Sequence, residues 1–427
     1  MKRPSGERFE RDLQYYKFCA YGFLKDLRFF DPFLVLLFLD KGLSYLQIGS
    51  LYAVREIAVN IMEIPSGVMA DAVGRRRAMV ISFLAYIASF VAFFLASGYA
   101  AFVLAMVVFA FGDAFRTGTH KAMIFDYLKL KGWADQKTHY YGHTRSWSQR
   151  GAALSALIAG VLVFWRGDYA VVFPFTIVPY VLDLILMLTY PKELDGPRHA
   201  SRGAVRDEFK HVISSFISSF KNLSIFRAIG NQALYTGYYK ATKDYLQPLL
   251  KAFALGLPLM LSQPEKERSA VVVGIVYFIL YLGTSYAARS SGRFSERFSG
   301  LARPLNGTLL TGILLGLGSG LAYGLGVEVL AVVLYLGIYL IENLRKPMGI
   351  AYVTERMNQD ALATALSAES QAETLMAAII AMILGFFADL WGPGLGIAAT
   401  SLCCLAAALL LRLPPEKAQG SAQAAGA

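Results

Sequence analysis

Twelve stretches of this 427-residue chain are long and apolar enough to cross a bilayer, and that feature removes most folds from consideration. Crossing about 30 Å of hydrocarbon takes roughly 20 apolar residues in a helix. The stretches fall at 18–40, 46–70, 77–97, 101–127, 142–165, 169–190, 224–254, 268–290, 303–324, 327–352, 363–388 and 393–412. Inside lipid every backbone group must be satisfied within the segment or in a closed barrel, and runs of this length select helices. Composition agrees, with 56% hydrophobic and only 17% charged residues and a mean hydropathy of +0.46. The expectation is an all-α membrane protein with twelve transmembrane helices. The N-terminal MKRPSGERFERDLQYYKF is too charged to be a removable signal peptide.

The net charge of +11 raises nucleic acid as a partner, but the placement of the charge excludes it. Basic residues gather in alternate connections: Arg75, Arg76 and Arg77; Lys129, Lys131 and Lys137; Arg198, Arg202, Arg206 and Lys210; Arg289, Arg293 and Arg297. The opposite loops, such as SGYA at 97–100 and YGLGVE at 323–328, are short and nearly uncharged. Positive charge is retained inside, so these connections and both termini are expected to be cytoplasmic in a multi-pass protein of the cell (inner) membrane. Cys19, Cys403 and Cys404 form no extracellular pairing pattern.

Six stretches precede a polar segment that starts at Pro191, and six follow it. This divides the chain into an N-terminal six-helix half (1–190), a cytoplasmic linker (191–222), a C-terminal six-helix half (223–413) and a disordered tail (414–427). Within the linker, Val205, Phe209, Val212, Ile213, Phe216 and Phe220 can share one helical face along the membrane surface, or the segment can be a solvated connector. A repeat supports the two halves. GFLKDLRFFDPFL at 22–34 and GYYKATKDYLQPLL at 237–250 both run from Gly through two bulky residues to Lys, then through charges to Pro32 or Pro248. GDAFRTG at 112–118 and IENLRKPMG at 341–349 both place an acid three residues before an Arg. Such weak self-similarity is how the parallel repeats of transporters show in sequence.

The most specific motif is GVMADAVGRRRAMV at 67–80. With Gly67, Asp71, Gly74, Arg75 and Arg76 in place, it resembles the loop between helices 2 and 3 of the major facilitator superfamily, although Ala72 stands where a basic residue is usual. Gly67 would allow close helix approach, Asp71 would meet a helix N-terminus of the other half, and Gly74 would permit the turn. The resemblance implies the twelve-helix fold of two pseudo-symmetric halves, alternating access, and a role in gating for this motif, above all Asp71 and Arg75. The corresponding loop from Gly283 keeps Gly292 and Arg293 but no Asp. Two patterns associated with proton antiporters of the superfamily are incomplete: Arg116-Thr-Gly-Thr119-His120 keeps only the Arg in helix 4, and RGAALSALIAG from Arg150 lacks the proline of helix 5.

Charged residues inside the apolar stretches are the candidates for a site. Each costs about 2.5 to 3.5 kcal/mol near the bilayer centre on insertion scales. At 100° per residue Asp113, Arg116, Thr117, His120 and Lys121 share one face of the fourth stretch. Lys25, Arg28 and Asp31 do so in the first, Glu56, Asn60 and Glu63 in the second, and His143, Ser146, Trp147 and Arg150 in the fifth. The second half offers Asn231, Tyr235, Tyr238 and Tyr239, then Glu342, Arg345 and Lys346, then Glu369 and Glu373. In the superfamily helices 1, 4, 7 and 10 line the central cavity, which is where most of these charges fall. Counting at 1.5 Å per residue puts Arg28, Asp31, Glu56, Asp113, Arg116, Arg150, Lys240, Lys243, Glu342 and Arg345 near mid-membrane. Three pairs spaced by three, Arg28 with Asp31, Asp113 with Arg116 and Glu342 with Arg345, can equally be structural ion pairs.

The expected activity is secondary active transport of a polar, anionic or zwitterionic small molecule, with proton coupling. Arg28, Asp31, Asp113, Arg116, Arg150, Tyr235, Tyr239, Lys243, Glu342 and Arg345 are the expected substrate-binding set. Asp31, Glu56, Asp113 and Glu373 are the candidates for the coupling proton. Export of lipophilic drugs by proton antiport and lipid flipping remain alternatives. Enzymatic activity is not expected: the chain has no phosphate-binding Gly loop leading to Lys-Ser or Lys-Thr, no metal-ligand cluster among five scattered His, and no implied cofactor. The protein is expected to act as a monomer.

Overall fold

The computed structural model describes residues 9–133, 136–195, 223–354 and 359–414. The regular elements among the described residues are helices: α1 (Leu13–Lys25), α2 (Leu34–Asp40), α3 (Tyr45–Val73), α4 (Arg75–Leu95), α5 (Tyr99–Arg116), α6 (Thr119–Leu130), α7 (Lys137–Arg166), α8 (Val172–Leu188), α9 (Leu223–Thr242), α10 (Leu246–Gly256), α11 (Glu265–Ser295), α12 (Ala302–Gly324), α13 (Glu328–Thr354) and α14 (Gln359–Leu410). Helices run through all twelve apolar stretches, continuously in some and with breaks in others. Seven described helical segments are long and apolar enough by themselves to cross a membrane. The first, second, seventh and tenth stretches are not among them, because they are interrupted or carry the charge.

Single helices were expected at 18–40, 101–127 and 224–254, and each is instead broken. α1 stops at Lys25, and the chain does not resume a helix until Leu34, after Pro32, which lacks an N–H and disfavours helical geometry at Asp31. α5 stops at Arg116, and Gly118 turns the chain at φ +81°, a left-handed conformation open to glycine. Between α9 and α10 lies one tight turn at Lys243–Tyr245. The last two stretches run as α14 with an interruption at Gly392 (φ +81°) followed by Pro393, where a new helix tolerates the missing N–H.

A broken helix leaves backbone groups without partners, and in hydrocarbon these must be met by protein or by a watery cavity. Side chains meet several of them here. The Tyr180 hydroxyl donates to the Lys25 carbonyl at 3.1 Å, and those of Tyr335 and Tyr339 donate to the Thr242 and Lys243 carbonyls. At the start of α2, Gln247 Oε1 accepts the Val35 N–H at 2.8 Å. At the start of α3, the Asp389 carboxylate accepts the N–H groups of Tyr45 and Leu46 at 2.6 and 3.0 Å.

The described residues group into two compact units. Of the described residues, the first draws on those within 9–33, 58–195 and 273–278, the second on those within 34–57, 223–272 and 279–414. Within the first, α1 packs on α7 and α8 while α4 packs on α5 and α8. Within the second, α9 packs on α13 and α14 while α12 packs on the same two helices. The repeat is visible in the contacts of its glycines. A Cβ on Gly22 would lie 2.9 Å from Ser148 Oγ of α7, and one on Gly237 would lie 2.6 Å from Met376 Cβ of α14, so a helix of the repeat's fifth position presses on each glycine. Outward positions such as Leu104, Val161, Leu282 and Leu402 stay exposed and apolar, as lipid-facing residues should. The amphipathic stretch and the basic residues from Arg198 to Lys210, together with the tail from 415, lie outside the described residues.

Gly237→Ala is expected to lower thermal stability in detergent by about 1 to 3 kcal/mol, because the new methyl group meets backbone as well as side chain. Gly307→Ala, on an exposed face with nothing within 4 Å among the described residues, should leave the transition unchanged. Equal melting of both variants would remove the packing argument.

Candidate functional site: charged clusters at the helix breaks

In the first unit the end of α5 and the break after α1 bring charges together around one carboxylate. Asp113 Oδ1 accepts from Arg116 Nη2 at 3.0 Å and from the Tyr86 hydroxyl of α4, and it lies 3.7 Å from Arg28 Nη2. Arg116 Nε donates to Tyr86 Oη at 2.8 Å. Beside them Lys25 Nζ is held by Asp26 at 2.6 Å. The five charged side chains keep between 18% and 21% of their surface, neither sealed nor at the periphery. At such separations each attraction is worth about 4 kcal/mol at an effective dielectric constant near 20, enough to offset the insertion cost of a charge. Arg28 Nε is buried and has no hydrogen-bond partner among the described residues.

The spacing-by-three pairs resolve differently from one another. Asp113 and Arg116 do pair, but the carboxylate ion-paired to Arg28 here is Asp113, while Asp31 gives its backbone N–H to the Arg28 carbonyl at 3.1 Å. The single polar face from Asp113 to Lys121 does not exist, because Gly118 breaks it. His120 on α6 turns inward, stacked on Tyr21 at 3.5 Å with Nε2 3.2 Å from Tyr190 Oη. Lys121 rests over the rings of Phe125 and Tyr141. Arg150 is exposed above Trp147 at 4.9 Å and shares none of the cluster's contacts.

In the second unit Lys240, in the repeat position of Lys25, bridges two carboxylates. Its Nζ is 3.5 Å from Glu56 and 4.0 Å from Glu373. Arg55 Nη2 donates to the other oxygen of Glu56 at 2.7 Å and lies over the Tyr52 ring. Glu342 is 4% exposed and accepts from Thr236 Oγ1 at 3.2 Å. Arg345, fully buried, binds the Leu305 carbonyl, Thr308 Oγ1, and both the carbonyl and the side chain of Asn231. It thereby ties α9, α12 and α13 together and pairs with carbonyls in place of the expected Glu342. Tyr235 is fully buried beneath the Arg345 guanidinium with its hydroxyl on the Ile338 carbonyl at 3.1 Å. Tyr239 meets Tyr339 edge-on, and Lys243 Nζ lies 3.4 Å from Asp244.

The 67–80 motif forms a third site. Gly74 has φ +98°, and a Cβ there would meet the Asp195 carboxyl at 3.0 Å. Asp195 Oδ1 accepts the Arg76 N–H at 2.9 Å, capping α4, and Arg76 Nη1 donates to the Tyr190 carbonyl at 3.1 Å. Arg75 pairs with Asp126 of α6. Gly67 makes no close helix approach among the described residues. The Asp71 side chain lies outside the described residues, its backbone being within α3. Tyr86, Asp126, Asp195 and Asp389 bond to these residues and helix ends without having stood out in the sequence. Their only signal was an acid or hydroxyl at a helix end or inside an apolar run.

Repeated helices, broken near their middles and carrying charge at the breaks, define the class of membrane transporters. The chain belongs to the Major Facilitator Superfamily, whose family model matches residues 23–379. Among curated proteins it is similar to the uncharacterized MFS-type transporter YxaM of Bacillus subtilis (strain 168), 37% identical over 90 residues that make up 21% of this chain and 23% of that protein's length. Among solved structures it resembles the nucleoside transporter NupG, with a TM-score of 0.74 at 12% identity over 94% of this chain and 98% of that one. It also resembles a POT family transporter in complex with 5-aminolevulinic acid, with a TM-score of 0.71 at 12% identity over 93% of this chain and 95% of that one. The protein is therefore a multi-pass transporter with the fold of that superfamily.

Lys240→Met should leave Glu56 and Glu373 facing each other without their shared cation. The melting temperature is expected to fall, because the two carboxylates then repel each other without the lysine between them. A variant that melts like the wild type would show that Lys240 is not their counter-ion.

Proposed function

We propose that this transporter moves a small anion or zwitterion by alternating access between the halves 1–190 and 223–413, coupled to protons. It works as a monomer in the cell membrane with both termini cytoplasmic. The observation that carries the substrate class is the excess of donors around Asp113. Two guanidiniums and a hydroxyl share one carboxylate, and Arg28 Nε has no hydrogen-bond partner among the described residues. An incoming carboxylate or phosphate would satisfy that donor and relieve the crowding on Asp113, and charge-assisted bonds to guanidinium are the strong ones. The mixed charge of Lys25, Asp26 and Asp113 around them leaves room for a ligand ammonium as well. The ligand named with the POT neighbour, 5-aminolevulinic acid, has both groups. Lys240 between Glu56 and Glu373 supports coupling, since a proton on either carboxyl would release the lysine to the other. The loop around Gly74, braced by Asp195 and Asp126, supports the gating role of Asp71, Arg75 and Arg76.

The test is the thermal stability of purified protein in detergent against 5-aminolevulinic acid, a dipeptide, uridine and a lipophilic cation. A ligand present at 100 times its Kd should add about 2.7 kcal/mol to the folded state. Stabilisation by an anion or zwitterion that disappears in Arg116→Ala and Arg28→Ala is the expected result. Stabilisation by the lipophilic cation alone, equal in both variants, would replace this reading with drug export.

A further inference from the structure

A carboxylate outside every group described so far lies inside the first unit. Asp183 is in α8, one of the most apolar helices of the chain. Its side chain is 0% exposed, and neither carboxyl oxygen has a hydrogen-bond partner among the described residues. An ionised carboxylate held without partner or water costs far more than a neutral one, and such groups within membrane helices mark functional sites.

Its surroundings follow from the register of α8 against α1. Lys17 Nζ binds the Thr189 carbonyl at one end, and the Lys25 carbonyl binds Tyr180 at the other. The two helices therefore run antiparallel and bring Asp183 level with Tyr21 and Gly22. The ionisable groups around it are Tyr21, Lys25 and Asp26 from α1, Arg116 from α5, and Tyr190 beyond the end of α8. His120 of α6 adjoins both Tyr21 and Tyr190. From α4, Tyr86 is committed to Asp113 and Arg116, and from α7, Arg150 is turned onto Trp147. Of the nearby cations, Lys25 is held by Asp26, while Arg28 and Arg116 share Asp113. Asp183 is a further carboxyl, with no ion pair among the described residues.

We propose that Asp183, in addition to the carboxylates around Lys240, binds and releases a coupling proton, with Lys25 exchanging between Asp26 and Asp183 as it does so. This inference rests on the proton-coupled reading above. In one state Asp183 is neutral and Lys25 remains on Asp26. In the other the proton has left for water, Asp183 is an anion, and Lys25 turns to it, leaving Asp26 exposed to the substrate's ammonium group or to the Arg28 and Arg116 guanidiniums. Proton occupancy at a dry position is thereby tied to the charge that the binding cluster presents. No substrate contact by Asp183 is required, so it is a positioning residue.

The test needs no substrate. Infrared difference spectra between acid and neutral pH are recorded on the full chain in liposomes, for the wild type, Asp183→Asn, Asp183→Glu and Asp113→Asn. The carbonyl stretch of a protonated, buried carboxyl should titrate in the wild type, vanish in Asp183→Asn, shift in Asp183→Glu and persist in Asp113→Asn. Asp183→Glu retains the titrating group and so separates loss of the band from loss of the fold. A band that persists in Asp183→Asn and vanishes in Asp113→Asn would overturn the role of Asp183 while leaving proton coupling in place. A wild type with no titrating buried-carboxyl band would overturn proton coupling itself, and this role with it.

Discussion

The organisation of this protein depends on one requirement: no charge or open backbone group can sit in hydrocarbon without a partner. Three of its apolar stretches are broken near their middles, and each break exposes carbonyls and N–H groups that a continuous helix would have hidden. Tyrosine hydroxyls, Gln247 and Asp389 supply several of the missing partners from neighbouring helices. The breaks also concentrate ionisable side chains, since Lys25, Arg28 and Arg116 lie within a few residues of them. A continuous apolar helix could have crossed the membrane at less cost. Interrupted helices are what a membrane protein needs in order to present polar chemistry at that depth.

The two units solve the same problem with different residues. Gly22 and Gly237 each admit a close neighbour, and three residues later Lys25 and Lys240 each meet carboxylates. The first unit then adds two arginines and gathers them on Asp113, whereas the second adds acids, with Glu56 and Glu373 sharing Lys240. Arg345 has the repeat spacing of Arg116, yet it is spent on backbone carbonyls and holds helices together. The cluster in the first unit is rich in guanidinium and the one in the second in carboxylate.

Much of this could be read from the sequence. The twelve stretches, the halves and the loop around Gly74 follow from hydropathy and local pattern, which are properties of neighbouring residues. The breaks were harder to see. Gly118 can continue a helix or turn it, and only its packing environment decides. Partners distant in sequence were invisible, as with Tyr86 on Asp113, Asp195 on Arg76 and Asn231 on Arg345. Asp183 was overlooked because a lone acid in an apolar run carries no pattern, and its isolation only becomes meaningful in three dimensions.

The central claim is that the charged cluster at the end of α5 borders water and not lipid or a dry core. The most direct measurement is the reactivity of single cysteines with a charged thiol reagent in liposomes, after Cys19, Cys403 and Cys404 have been replaced by serine. Thr117→Cys lies beside the cluster, while Leu104→Cys lies on the exposed apolar face of the same helix. Rapid labelling at 117 with none at 104 is the predicted result. Labelling at neither position would mean that the charges around Asp113 form a sealed structural pair, and the account of this site as a substrate path would be wrong.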